Sequence, residues 1–141
     1  MANLTYTIAK ANLNTVDWEG AGKFRLMLVE DGYTPDAADE FVADVTNEAS
    51  GVGYARVELT GRARSVAGAN VEYQADAPNW NPITSAFRYA VVYFDVDGSD
   101  GDDATAWLVC ALDLGGTQTF VAADFTLDFG GSDPGAVFEI D

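Results

Sequence analysis

The densest group of chemically capable side chains lies between residues 95 and 103, where Asp95, Asp97, Asp100, Asp102 and Asp103 are interspersed with glycine and serine. Carboxylates on a glycine-bearing loop are candidate calcium ligands, because hard oxygen donors must converge from a tightly turned backbone. The order of an EF-hand is not met. Counted from Asp95, position six is Asp100 where glycine is required, and position twelve is Ala106 where a bidentate glutamate belongs. A solvated acidic turn is the simpler expectation, with no metal and no cofactor.

Other chemistry finds little material. The single cysteine, Cys110, sits in the apolar run WLVCALDL, and the chain has no histidine, so neither an intrachain disulfide nor a Cys/His nucleophile pair can form. Cys110 reads as a small buried hydrophobe. There is no G-x-S-x-G elbow, Walker A sequence or zinc-type Cys/His spacing. Two carboxylates can hydrolyse a glycoside, but among 23 acids some lie close by chance and nothing singles out a pair. The chain reads as a non-enzyme with no catalytic residues.

Seven bases against 23 acids leave a formal net charge of −16. Such a surface repels phosphate backbones, so no nucleic-acid partner is expected. Arg56, Arg62 and Arg64 share a register with Glu58 and Thr60, forming a stripe if the segment is one extended strand; Lys23 and Arg25 form a shorter one. The stripe is either a solvated face paired with local carboxylates or a positive patch for an acidic partner, including a neighbouring copy. Trp18, between Asp17 and Glu19, is either a cap on the core or an exposed anchor. Trp80 and Tyr33 are candidates to stack on a sugar or to anchor a protein interface.

The elements that must position these residues read as short strands. At 141 residues, 48% of them hydrophobic, the chain is long enough for one domain with a substantial core and too apolar for disorder. No apolar run approaches the roughly 18 residues that span a bilayer, and no basic-then-apolar leader is visible, so no membrane partner and synthesis in a cytoplasm are expected. Residues 1–22 read as an N-terminal arm in which Thr5–Leu13 is a short helix or an edge strand. Residues 23–141 read as a single β-rich domain. In KFRLMLVE, Phe24, Leu26 and Leu28 alternate with Lys23 and Arg25, predicting a strand. Asp36 followed by AADEFVADV predicts an N-capped helix burying Phe41 and Val45. YARVELTGRARSV and VEYQAD predict strands, and APNWNPITS a loop. FRYAVVYFDV and ATAWLVCALDL predict a central hairpin, with Phe87, Tyr89, Val91 and Tyr93 on one face and Ala90, Val92 and Phe94 on the other. GGTQ predicts a turn, TFVAADFTLDF a strand, GGSDPG a turn and AVFEID a last strand. About eight strands with regular turn signals predict an antiparallel β-sandwich or jelly-roll-like barrel with one or two short helices.

Taken in order, FRLMLVEDGYTPDAADEFVADVTNEASGVGYARVELTG, VEYQADAPNWNPITSAFRYAVVYFDV and AWLVCALDLGG resemble a family of tailed-bacteriophage virion proteins described as head fibre, capsid decoration or cement proteins. The matching features are a strand ending LMLV before GYTPD, the DVTNE-x-x-G-x-GY turn, Asp before P-x-W, the RYAVVY strand, and a strand ending near LDLGG, over roughly residues 23 to 130. The loop DGSDGDDA is longer here than that family usually has. The resemblance implies a structural protein on the outside of an icosahedral capsid, assembled in the host cytoplasm. It also implies a homotrimer that bridges and braces the major capsid protein, and it carries no catalytic residues. The alternative is a tail or baseplate adhesin that binds a host glycan through exposed aromatics. The partner-contact candidates are Lys23, Arg25, Arg56, Arg62, Arg64, Trp18 and Trp80.

Overall fold

A computed structural model describes residues 2–20, 23–129 and 135–140. Eight strands and one α-helix lie among them: β1 (Ala2–Thr5), α1 (Thr7–Asn12), β2 (Lys23–Val29), β3 (Val57–Glu58), β4 (Ala63–Ala67), β5 (Asn70–Ala75), β6 (Asn79–Asp95), β7 (Trp107–Thr126) and β8 (Gly135–Ile140). They form two antiparallel sheets, one of five strands in the order β1-β7-β6-β2-β3 and one of three in the order β4-β5-β8. This is a β-sandwich, and the described residues form no closed barrel.

Along its inner half the five-stranded sheet is covered on both faces, which explains why Tyr89–Phe94 of β6 and Trp107–Leu112 of β7 are apolar on both faces. On one face Phe24, Leu26, Leu28, Ala90, Val92 and Phe94 meet Tyr73, Ala75, Val137 and Phe138 of the smaller sheet. On the other face Met27, Val29, Tyr89, Val91 and Tyr93 are covered by Tyr6, Tyr33 and Val42. Tyr33 donates to Asp39 at 2.9 Å. Its oxygen, 2.8 Å from the Tyr6 oxygen, is therefore left to accept the Tyr6 proton.

The start of the chain is built into this arrangement. β1 pairs with residues 110–113 of β7, α1 resolves the helix-or-strand ambiguity as a helix, and Tyr6, Ala9, Leu13 and Trp18 are buried.

Several expected elements differ. No helix forms over 36–45. Asp36 Oδ1 instead accepts the Ala38 N–H, and residues 40–42 pair with the start of β7 through Leu108 N to Glu40 O and Val42 N to Ala106 O. Only a 3-10 turn at Val42–Asp44 follows, and Val42 rather than Phe41 or Val45 is the buried residue. Pairing with an available sheet edge has displaced local helical preference.

The segment expected as the loop APNWNPITS becomes the first half of β6. Across from it, β7 continues through the expected GGTQ turn, because Phe87 faces Gln118 while Tyr89 faces Asp113, so residues 114–117 bulge opposite Arg88. The bulge also breaks the alternation, placing Phe87 on the face of Ala90 and not of Tyr89. A second irregularity, where Val92 faces Cys110 but Tyr93 faces Leu108, leaves Val109 without a register partner on β6. The expected turn over residues 130–134 lies outside the described residues.

The result is one long hairpin, β6 with β7, with its connecting loop over 96–106 at the inner end and Asn79 opposite Thr126 at the outer end. Along its outer half, residues 50–55 lie against β6: Ser85 Oγ donates to Ser50 O at 2.6 Å, Thr84 N to Val52 O at 2.8 Å, and Trp80 Nε1 to Ala55 O at 2.9 Å. This approach requires glycine. A Cβ on Gly51 (φ +123°) would stand 2.0 Å from Thr84 O, and one on Gly53 (φ +82°) would stand 2.1 Å from Pro82 O.

Candidate functional site

The acidic loop closes the inner end of the β6–β7 hairpin, and it is folded rather than merely solvated. Asp95, at the end of β6, is only 4% exposed. Its Oδ2 accepts Arg25 Nε at 2.9 Å and the Asp100 N–H at 2.8 Å, while Oδ1 accepts the Gly98 N–H at 3.1 Å. Arg25 also donates to Gly98 O at 3.2 Å, so one guanidinium from β2 holds both ends of the turn.

Arg56 performs the equivalent task from the position just before β3. It forks onto Glu48, with Nε at 2.9 Å and Nη2 at 2.8 Å, and reaches Asp103 at 2.9 Å and Asp100 at 3.2 Å. Its guanidinium also lies over the Tyr93 ring at 5.5 Å, while the Tyr93 hydroxyl donates to Asp100 at 2.7 Å. The Arg56 side chain is 17% exposed, so these bonds are partly shielded from water. The bond from Arg56 holds the Asp103 carboxyl below the usual carboxylate range, and the bonds from Glu48 and Asp103 hold Arg56 firmly protonated. Burial first, and then the neighbouring carboxylate, pushes the Tyr54 and Tyr93 hydroxyls up.

Two of the five loop acids, Asp97 and Asp102, face solvent and spend their oxygens on local turns, Asp97 on Ser99 N and Asp102 on Ala104 N. Among the described residues no three acidic, histidine or cysteine side chains are grouped to hold a metal ion. The carboxylates weighed as candidate calcium ligands are turned toward Arg25, Arg56 and the loop's own N–H groups.

The basic stripe is not a stripe. The chain leaves the five-stranded sheet after Glu58, bends at Gly61, and enters the smaller sheet at Ala63, so Arg56 belongs to one sheet's edge and Arg64 to the other. Arg62 is folded inward over the Phe24 ring at 5.3 Å, donates to Gly20 O at 3.0 Å, and is held below its ordinary pKa by burial. Arg64 is exposed, and its backbone N–H meets Glu19 at 3.3 Å. Lys23 pairs with Glu58 at 2.8 Å and thereby lowers the Glu58 carboxyl. Sequence reasoning missed the partners, Glu48 and Tyr93, because both come from segments whose proximity only the sheet order establishes.

The tryptophans are core residues. Trp18 packs edge-on against Tyr73 and Phe138 and tilted against Phe24, and it donates to Gln74 O at 3.0 Å. Trp80 lies against Phe125, and both Trp80 and Tyr33 are 4% exposed, so the aromatic platform expected of a glycan adhesin is turned inward. Cys110 is fully buried, and burial pushes its thiol well up. A groove of about 390 Å³ beside α1 is lined by Thr7, Ile8, Ala11, Ala38 and Glu40. Compared with family models, with curated proteins and with solved structures, the chain finds no match.

Proposed function

We propose that this chain is a non-enzymatic structural protein of a tailed-bacteriophage virion. In this reading it decorates the outside of the capsid, binds the major capsid protein and associates with itself as a homotrimer. The observation that carries the reading is that the segments bearing the sequence resemblance, far apart in the chain, interlock in space. Glu48 of DVTNE holds both Arg56 and the Tyr54 hydroxyl of GVGY. Gly51 and Gly53 of the same turn seat the β6 backbone, and Trp80 of PNW is anchored on Ala55. The resemblance thus falls on one mutually supporting framework, as a shared fold requires.

The rest of the molecule suits that role. A shell protein must stay soluble and then hold position by surface contact, and many copies on a rigid lattice tolerate modest affinity at each site. The buried aromatics leave no observation favouring glycan binding. Quantitative mass spectrometry of purified virions, with labelled antibody to place the protein, tests the proposal. Copies on the head in numbers comparable to the major capsid protein are expected. A few copies confined to the tail, or none on the particle, would overturn it.

A further inference from the structure

We infer that copies of this chain meet through the outer end of the β6–β7 hairpin. Segments 49–55, 77–87 and 114–123 contain no charged residue, in a chain with 23 acids and seven bases. These are the segments the fold gathers there: 50–55 lies against β6, β6 pairs with β7, and Ala122 N donates to Thr84 Oγ1 at 2.9 Å. Charge is therefore sparse there in three dimensions as well as along the chain, with Asp124, just beyond these segments on β7, bonded to Asn79. The same end exposes Val52 (77%) and Val121 (75%), one on each flank of β6, with Thr84, Ala86 and Thr119 exposed beside them. Its margin is also open. β1 covers β7 only along residues 110–113, and no other described strand pairs with the outer edge of β7.

The occupant follows from charge. At a net charge of −16, two copies approaching by their acidic surfaces repel each other, and the surface where that repulsion is least is the same sparsely charged end on each. Edge strands that must stay unpaired usually carry charge or proline, and residues 114–123 of β7 have neither. A second copy thus finds an open edge, two exposed valines and no carboxylate among these segments. The inference deepens the self-association part of the proposed function and rests on it; capsid binding is judged separately by occupancy on heads.

Sedimentation velocity of the purified full chain over a concentration series, in low and high salt, tests it. The wild type should be oligomeric, and more so in high salt, which screens the acidic repulsion. Thr119→Asp with Val121→Asp should weaken association by about tenfold or more by extending that repulsion into the contact. Val52→Asp, outside the regular strands, should act in the same direction should the strand variant fold poorly by circular dichroism. Val66→Asp on β4 should behave as wild type. A wild type that stays monomeric throughout, folded variants that associate as wild type does, or equal loss in Val66→Asp would each overturn the inference, with capsid occupancy left to decide the decoration reading.

Discussion

The two ends of the β6–β7 hairpin share one ladder but differ in how their polar groups and charges are handled. At the inner end, Asp95, Asp100 and Asp103 are drawn onto Arg25 and Arg56, and a loop that reads as a solvated acidic tip is a bonded structure. At the outer end charge is sparse, with Asp124 bonded to Asn79, and valines stand in solvent. The difference teaches that a concentration of charge need not mark the contact surface. Where carboxylates already have partners inside the fold, a new partner must displace them at a desolvation cost, whereas an uncharged, open edge has little to give up.

Breaking the junction between the two ends should have the largest effect. Phe87 packs on Phe120 and Phe125, joining the outer half of the hairpin to the core. Phe87→Ala should destabilise by about 3–5 kcal/mol in urea unfolding, with hydrogen exchange rising most over residues 118–126.

Next is Arg56→Met, which leaves Glu48, Asp100 and Asp103 facing one another. It should cost about 2–3 kcal/mol, the loss from breaking a buried pair reduced because its partners are partly exposed. It should also loosen residues 95–103 while leaving the outer end protected.

Acid probes the same contrast more gently. The carboxyls of Asp103, Asp113 and Glu58 are held down by bonds from Arg56, Arg88 and Lys23 respectively. Their contribution is present above the unfolded carboxylate values of about 4 and is lost as pH falls through the lower folded values. Thermal melts should therefore decline below about pH 4, and Arg56→Met should flatten part of that decline. The smallest effect is Val121→Asp, which should change monomer stability by less than about 0.5 kcal/mol while altering association.

Much of the body was legible from pattern alone. The alternation of Phe24, Leu26 and Leu28 against Lys23 and Arg25 located β2, and the doubly apolar run after Arg88 marked a strand covered on both faces. Alternation failed at Arg88 and Val109, because a bulge is set by the partner strand's spacing and leaves no local signature. The helix expected over 36–45 had its cap residue and its periodicity, but residues 40–42 gained sheet bonds instead. The charged end was legible as composition and illegible as structure, since nothing near Arg56 in sequence indicates that Glu48, Asp100 and Asp103 converge on it. The outer end was written in the chain as three uncharged stretches, a signal visible only when absence of charge is read as a feature.

The contrast between the ends is tested most directly by cross-linking. Cys110 is fully buried, so a cysteine placed at an exposed position is the reactive thiol. Val121→Cys places it at the sparsely charged end, and Val96→Cys places it at the charged one, where Val96 is also exposed. Treated with a short bismaleimide at matched concentration, Val121→Cys should give covalently linked copies and Val96→Cys should remain single. Equal linkage at both positions, or linkage at Val96 alone, would contradict the account.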